Sequence, residues 1–356
     1  AELVFMEMLE AGFGAVAEFH YLHHYIAGVP YASLPEMADR IATAAQNTGL
    51  GLTLLPVLYM QGGCDGRALV GGQQRFGCDL DQFAKLNDGG AKTIEQKPSD
   101  FTIGIAPHSL RAGTSDAMAQ LRRVCAKGPI HMHLAEQVAE VREVQKHTGA
   151  RPVEWLLDNA NVGPDWCLIH CTQMTDDETT QLAATGAVAG LCPITESSLG
   201  DGVFNGVTYR AAGGAFGIGS DSNIHIALWE ELATLDYSQR LRDLSRAAMA
   251  TSDRSTGRVL FDAITSAGAQ AAGRDAGQIA EGLFADLIAV STDNEFICNR
   301  DCDTLLDSLI FTGRGRSCVT DVWSAGRHVV QDGRHVDRDR IARKFVDVAN
   351  DLGQQI

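Results

Sequence analysis

The sequence predicts an α/β protein, a parallel (β/α)8 barrel of the TIM type, on three observations. Short apolar runs alternate with segments of helical period along most of the chain, the pattern of a parallel sheet wrapped by helices. Three runs end on a His or Asp, in HMHLAEQ at 131–137, LIHC at 168–171 and GIGSDSN at 217–223. In such a barrel, catalytic side chains collect at the C-terminal ends of the strands. Finally, 356 residues that are 45% hydrophobic and 21% charged suffice for one large core with a smaller appendage.

The elements follow in order. AELVFMEMLE reads as a helix already under way, with Leu3, Met6 and Leu9 or Leu3, Glu7 and Glu10 defining its faces. Strands are expected at 13–19, 50–58, 101–107, 129–135, 166–171, 187–192 and 215–220. That is seven, where a closed barrel has eight. The segment 136–147 places Val138, Val141 and Val144 on one side of a helix. Thr175 with Glu178 makes a capping box, and Gly186 suits the end of the helix it starts. The Gly-, Gln- and Asp-rich segment 60–100 reads as a long loop over the barrel mouth. Beyond about residue 280 the runs 283–290 and 319–334 read as β-strands, the second reversing near Ala325–Gly326. The expected division is a barrel over 1–280, β-subdomain strands over 281–335 and a C-terminal helix over 336–356.

Charge narrows the partners. Lys and Arg number 29 against 45 Asp and Glu, a net charge of -16, which repels nucleic acid and anionic membranes. A small-molecule substrate is expected, and an anionic one needs local basic groups. The nine cysteines are odd in number and form no CxxC pair, so free thiols and a cytoplasmic location are expected. No stretch is apolar over the length of a membrane span. The N-terminus has no basic region of the kind that opens a signal peptide.

The candidate chemistry lies at the strand ends. Two imidazoles, His133 and His170, with the carboxylate of Asp221 suit a divalent metal that activates water, and Zn2+ is the ion expected. Their side chains should lie within about 6 Å of a common point, a metal–ligand distance plus a second layer. Glu136, three residues after His133, can hang over such an ion and shuttle protons. Each feature alone has a plainer reading: HxxE is common, a lone strand-end His is usually structural, and Asp221 could cap a helix. Their joint occurrence at successive strand ends favours the metal. His108 and Arg111 follow another apolar run; Arg111 either forks onto a substrate carboxylate or makes a surface salt bridge. In EFHYLHH, His20, His23 and His24 either line the mouth or form a structural network, while Tyr21 can hydrogen-bond an anion.

These motifs resemble the amidohydrolase superfamily and, within it, the formimidoylglutamate deiminase family. The likeness runs through AEFHYLHH, GLTLLPVLY, APHSLRA, HMHLAEQ, RPVEWLLDN, AVAGLCPITESSLGDG, GIGSDS and LDYSQRLRD. HxxE and GSDS indicate only the superfamily's deaminase branch; HSLRA, TE-x-x-LGDG and YSQRLRD make the likeness specific. It implies that His133 and Asp221 are metal ligands, that Glu136 and His170 flank the attacking water, and that Tyr21, His108 and Arg111 hold the glutamate carboxylates. The implied reaction turns N-formimidoyl-L-glutamate and water into N-formyl-L-glutamate and ammonia, and a homodimer is expected.

The resemblance also implies an HxH at the end of a first barrel strand, and none precedes residue 20 here. The expectation is a barrel lacking strand one and half of its β-subdomain, holding metal weakly and nearly inactive as it stands. Two other readings stay open: an amidohydrolase for a guanine or imidazolone ring, or a metal-poor remnant serving as a binding protein.

Overall fold

Seven strand positions run parallel around a common core. The computed structural model describes residues 1–354. In it, β1 (Ala15–His20) pairs with β2 (Gly51–Leu58), and β2 with two short pieces, β3 (Thr102–Ile103) and β4 (Ala106–Pro107). A parallel bridge between Ile105 and Ile130 carries the order on to β5 (Ile130–Leu134), β6 (Trp166–His170), β7 (Val188–Leu191) and β8 (Ala215–Ile218). Each of the seven apolar runs is thus strand. The run 101–107 is broken at Gly104–Ile105, where the backbone N–H groups turn from the Leu54 carbonyl to that of Pro129. β2 is buried at every position, as expected of a parallel strand covered on both faces. Among the described residues β8 and β1 do not pair; both border a cavity of about 900 Å³.

Local chemistry sets the helix ends. Thr175 Oγ1 accepts the Glu178 N–H while Glu178 reaches back to the Thr175 N–H, starting the helix Asp176–Ala184. The first helix, Glu2–Ala11, buries Phe5, Met6, Met8 and Leu9 and stops at Gly12, whose φ of 106° favours glycine. Two expectations need correction. The segment 60–100 is not one loop, because Leu80–Ile94 is a helix capped by Asp79 that buries Phe83, Leu86 and Ile94. Its polar outer face hid this period. In the helix Val138–Thr148, Val141 and Val144 face the core, but Val138 is exposed and Glu140 is fully buried in its place.

The appended sheet is antiparallel, in the order β12 (Arg334–His335), β11 (Arg327–Gln331), β10 (Val319–Ser324), β9 (Leu287–Val290). Ala325 and Gly326, with φ of 46° and 80°, make the tight reversal between β10 and β11. The stretch 281–335 is not all strand: the helix Cys302–Phe311 intervenes and packs on Leu228–Asp243 and Thr256–Ala271. A last helix spans Arg338–Gly353; residues 355–356 of the expected C-terminal helix lie outside the described residues. No helix among the described residues is long and apolar enough to cross a membrane.

One ion network joins this sheet to the N-terminal end of the barrel, away from the strand ends that carry chemistry. Asp100 sits just before β3 and is nearly inaccessible. Arg327 forks onto its carboxylate at 2.8 Å through each nitrogen, and Arg274 reaches it at 3.2 Å while also bonding Asp286. Burial would raise the Asp100 pKa, but Arg327 and then Arg274 hold it below 3.8. The bonded carboxylate therefore stabilises the fold above that value, and the stabilisation is lost as pH falls through the depressed one. Asp100→Ala is expected to cost about 3–5 kcal/mol in urea unfolding, because it leaves the buried Arg274 undercompensated. A cost below about 1 kcal/mol would show the network to be incidental.

Candidate active site

The site forms where β4, β5 and β6 end. Residues alternate along a strand between the barrel interior and the helix layer. On β5, His131 and His133 line the cavity while Met132 joins the helix-side core. His131 is spent structurally, its Nε2 bonding the Ala271 carbonyl at 2.7 Å. On β6, Cys167 and Ile169 line the cavity and Leu168 packs outward, so strict alternation would send His170 outward as well. Instead the backbone turns left-handed at His170 and Cys171, with φ of 71° and 52°. The His170 ring thereby comes to 5.6 Å from that of His133. Ala135 and Asp221, at the ends of β5 and β8, share this conformation with φ of 50° and 49°. Such strained residues cluster where geometry is functional.

A run of ring contacts connects the expected residues. His108 stacks on His133 at 5.0 Å, and Tyr21 meets His108 edge-on at 5.8 Å. Phe19 lies against His133 at 4.7 Å, and Phe76, from the loop before the helix Leu80–Ile94, meets Tyr21 at 5.4 Å. Burial raises the Tyr21 phenol above its ordinary range, helped by the charge of Asp221, so it is a neutral donor. Two of the three histidines of EFHYLHH are structural: His23 Nε2 bonds the Val57 carbonyl and His24 Nε2 that of Gly77, each at 2.8 Å. Burial pushes His20 down to about 3 and His23 to about 4.

Proton-handling groups stand beside these rings. Glu136 Oε1 lies 4.0 Å from His170 Nε2. Burial raises the Glu136 pKa, with Asp201 and Glu140 adding to the rise against the pull of His170. His170 is the reverse case. Burial alone would lower its pKa, but its bond to Glu196, then the charges of Glu196, Glu136 and Asp221, raise it. Arg111 is neither a free surface group nor firmly paired. Its Nη2 is 3.9 Å from Glu140 Oε2, beyond hydrogen-bond range, and its buried Nε has no partner. Glu140 in turn accepts the backbone N–H groups of Ala135 and Glu136 at 3.1 and 2.9 Å.

For a metal, the donor chemistry fits at His133. Its Nδ1 bonds the His108 carbonyl at 3.0 Å, which leaves Nε2 as the free lone pair. Burial, reinforced by His108 and His170, holds its pKa well below 6.5, so the ring is the neutral imidazole a metal requires. Asp221, exposed on the turn after β8, lines the same cavity. Among the described residues no three His, Cys, Asp or Glu side chains stand close enough together to hold a metal ion. The structure thus joins His133 to His170 and supplies part of a ligand set, with Asp221 on the wall of the same cavity. Two buried carboxylates, Glu140 and Glu196, are the partners that sequence reasoning missed. Glu196 stood in view within TE-x-x-LGDG.

Comparison with known proteins adds to this geometry. The amidohydrolase family profile matches residues 1–329. Formimidoylglutamate deiminase of Pseudomonas aeruginosa is 42% identical over 98% of the chain and 77% of its own length. An amidohydrolase from Brucella melitensis superposes with a TM-score of 0.94 at 47% identity, covering 99% of this chain and 77% of that one. An adenosine deaminase from Xanthomonas campestris with bound zinc shares the fold, with a TM-score of 0.77 at 21% identity over 96% of this chain and 74% of that one.

Proposed function

The chain belongs to the amidohydrolase family, and from that premise we infer that it hydrolyses N-formimidoyl-L-glutamate to N-formyl-L-glutamate and ammonia. The observation that carries this reading is the placing of Glu136 4.0 Å from His170 beside an Arg111 that still has donors to offer. A proton-handling pair beside an anion anchor is what an amidine carrying carboxylates needs. The 42% identical deiminase supports the same substrate.

The reaction adds water to the formimidoyl carbon and expels its terminal nitrogen. Glu136 takes one proton from the water and delivers it to that nitrogen, then passes on the hydroxyl proton of the tetrahedral adduct as the carbonyl forms, so that the nitrogen leaves as ammonia when the C–N bond breaks. His170, its basicity raised by its carboxylate neighbours, steadies the charge that builds at the tetrahedral carbon. Arg111, His108 and Tyr21 orient the glutamate carboxylates. A divalent ion, Zn2+ in this reading, would be held through His133 Nε2 and Asp221 and would supply Lewis-acid activation of the water near neutral pH. The nine free cysteines support work in the reducing cytoplasm.

A substrate comparison tests the reading. N-formimidoyl-L-glutamate should exceed N-formimidoylglycine, which lacks the side-chain carboxylate, by roughly 10- to 100-fold in kcat/KM, and guanine should not turn over. Preference for guanine would replace this reading with that of a ring deaminase. Absence of both turnover and bound metal would favour a binding protein.

A further inference from the structure

The TE-x-x-LGDG motif has a structural place that the reaction as described does not use. Its first five residues fall in the helix Pro193–Leu199, which follows β7, the strand paired with β6. Glu196 is buried there at 4% exposure. Its Oε1 receives the Cys192 backbone N–H at 2.8 Å and lies 3.2 Å from His170 Nδ1. Two further bonds fix this helix. Thr195 Oγ1 donates to the Ser220 carbonyl, next to Asp221, and the Ile194 N–H donates to the buried Glu231. The carboxylate is thus held on the β7 side of the strand that carries His170, by a helix tied to the end of β8 and to the helix Leu228–Asp243.

We propose that Glu196 is the positioning residue of His170: its carboxylate accepts a hydrogen bond from Nδ1–H and so presents Nε2 to Glu136 and the reacting amidine. The inference rests on the proposed reaction, in which His170 acts on the substrate. An imidazole on a left-handed backbone has no strand geometry to fix its ring, and without Glu196 either nitrogen could carry the proton. With Glu196 in place Nδ1 is the donor, and Nε2 alone faces the site. The plainer role is that Glu196 only caps its helix through the Cys192 N–H. That role would affect folding and leave the His170 tautomer and kcat alone.

Two measurements decide. In the unaltered full chain with 15N-labelled histidine, the His170 resonance, assigned by its loss in His170→Asn, should report a protonated Nδ1. Finding Nδ1 without a proton overturns the proposal, whatever any variant does. In kinetics, Glu196→Gln should lower kcat roughly 10- to 100-fold, as loss of such an orienting carboxylate does elsewhere, with KM within about twofold. In a His170→Asn background the same change should cost less than about twofold more, because the two residues act as a unit. Equal losses in both backgrounds would make Glu196 a helix cap only and overturn the proposal. Full turnover by His170→Asn alone would instead overturn the part given to His170 in the reaction, and the proposal with it, even with Nδ1 protonated.

Discussion

Glu136→Gln is expected to lower kcat roughly 10³-fold, within the range for losing a positioned acid–base group, while KM and metal content stay unchanged. Gln has the size and shape of Glu, so the loop is preserved. The backbone N–H of residue 136 still bonds Glu140, and its carbonyl still receives the Thr172 hydroxyl at 2.5 Å. What disappears is the ionisable group. In the native protein its pKa is raised above 4.5 by burial and by Asp201 and Glu140, which brings it closer to a value at which it can both take and give a proton. The acidic limb of the kcat/KM profile should accordingly lie above 4.5 and vanish in the variant. Stopped assays with metal determination on the same samples check this. Turnover within about threefold of the native rate would assign proton delivery to another group.

Arg111→Met should raise KM for formimidoylglutamate roughly 10- to 100-fold, the worth of a hydrogen bond to a charged partner, with kcat and metal content little changed. The chain carries a net charge of -16, so an anionic substrate needs a dedicated cation at the mouth. Arg111 is suitably placed, its charge acting on both His108 and His133. It is also available, since its Nε is unpartnered and Glu140 lies beyond hydrogen-bond distance. Glu140 keeps its two backbone donors without Arg111, so the local fold should survive. An unchanged KM would rule out the anchor and leave Arg111 as a counter-charge for Glu140.

The barrel was legible because parallel strands are buried on both faces and read as unbroken apolar runs; GLTLLPVL is the clearest case. The helix Leu80–Ile94 escaped because Asp81, Lys85 and Asp88 on its outer side, and Asn87 and Gly90 within the buried stripe, diluted Phe83, Leu86 and Ile94. Val138 and Glu140 exchanged roles for a related reason. Period alone put the valine inward, whereas two backbone N–H groups at the end of β5 required a buried acceptor. Within the site, His133 and Glu136 could be read from their spacing. The inward turn of His170 could not, because it depends on a left-handed backbone at a non-glycine residue. The hold of Glu196 on His170 spans 26 residues, and no local pattern announces it.

The central claim concerns which bond breaks, and 13C NMR of N-formimidoyl-L-glutamate labelled at the formimidoyl carbon tests it most directly. With the protein supplied with Zn2+, the label should move into N-formyl-L-glutamate as one equivalent of ammonia is released. Label appearing in formamide beside free L-glutamate, or remaining in the substrate while metal is bound, would contradict the account.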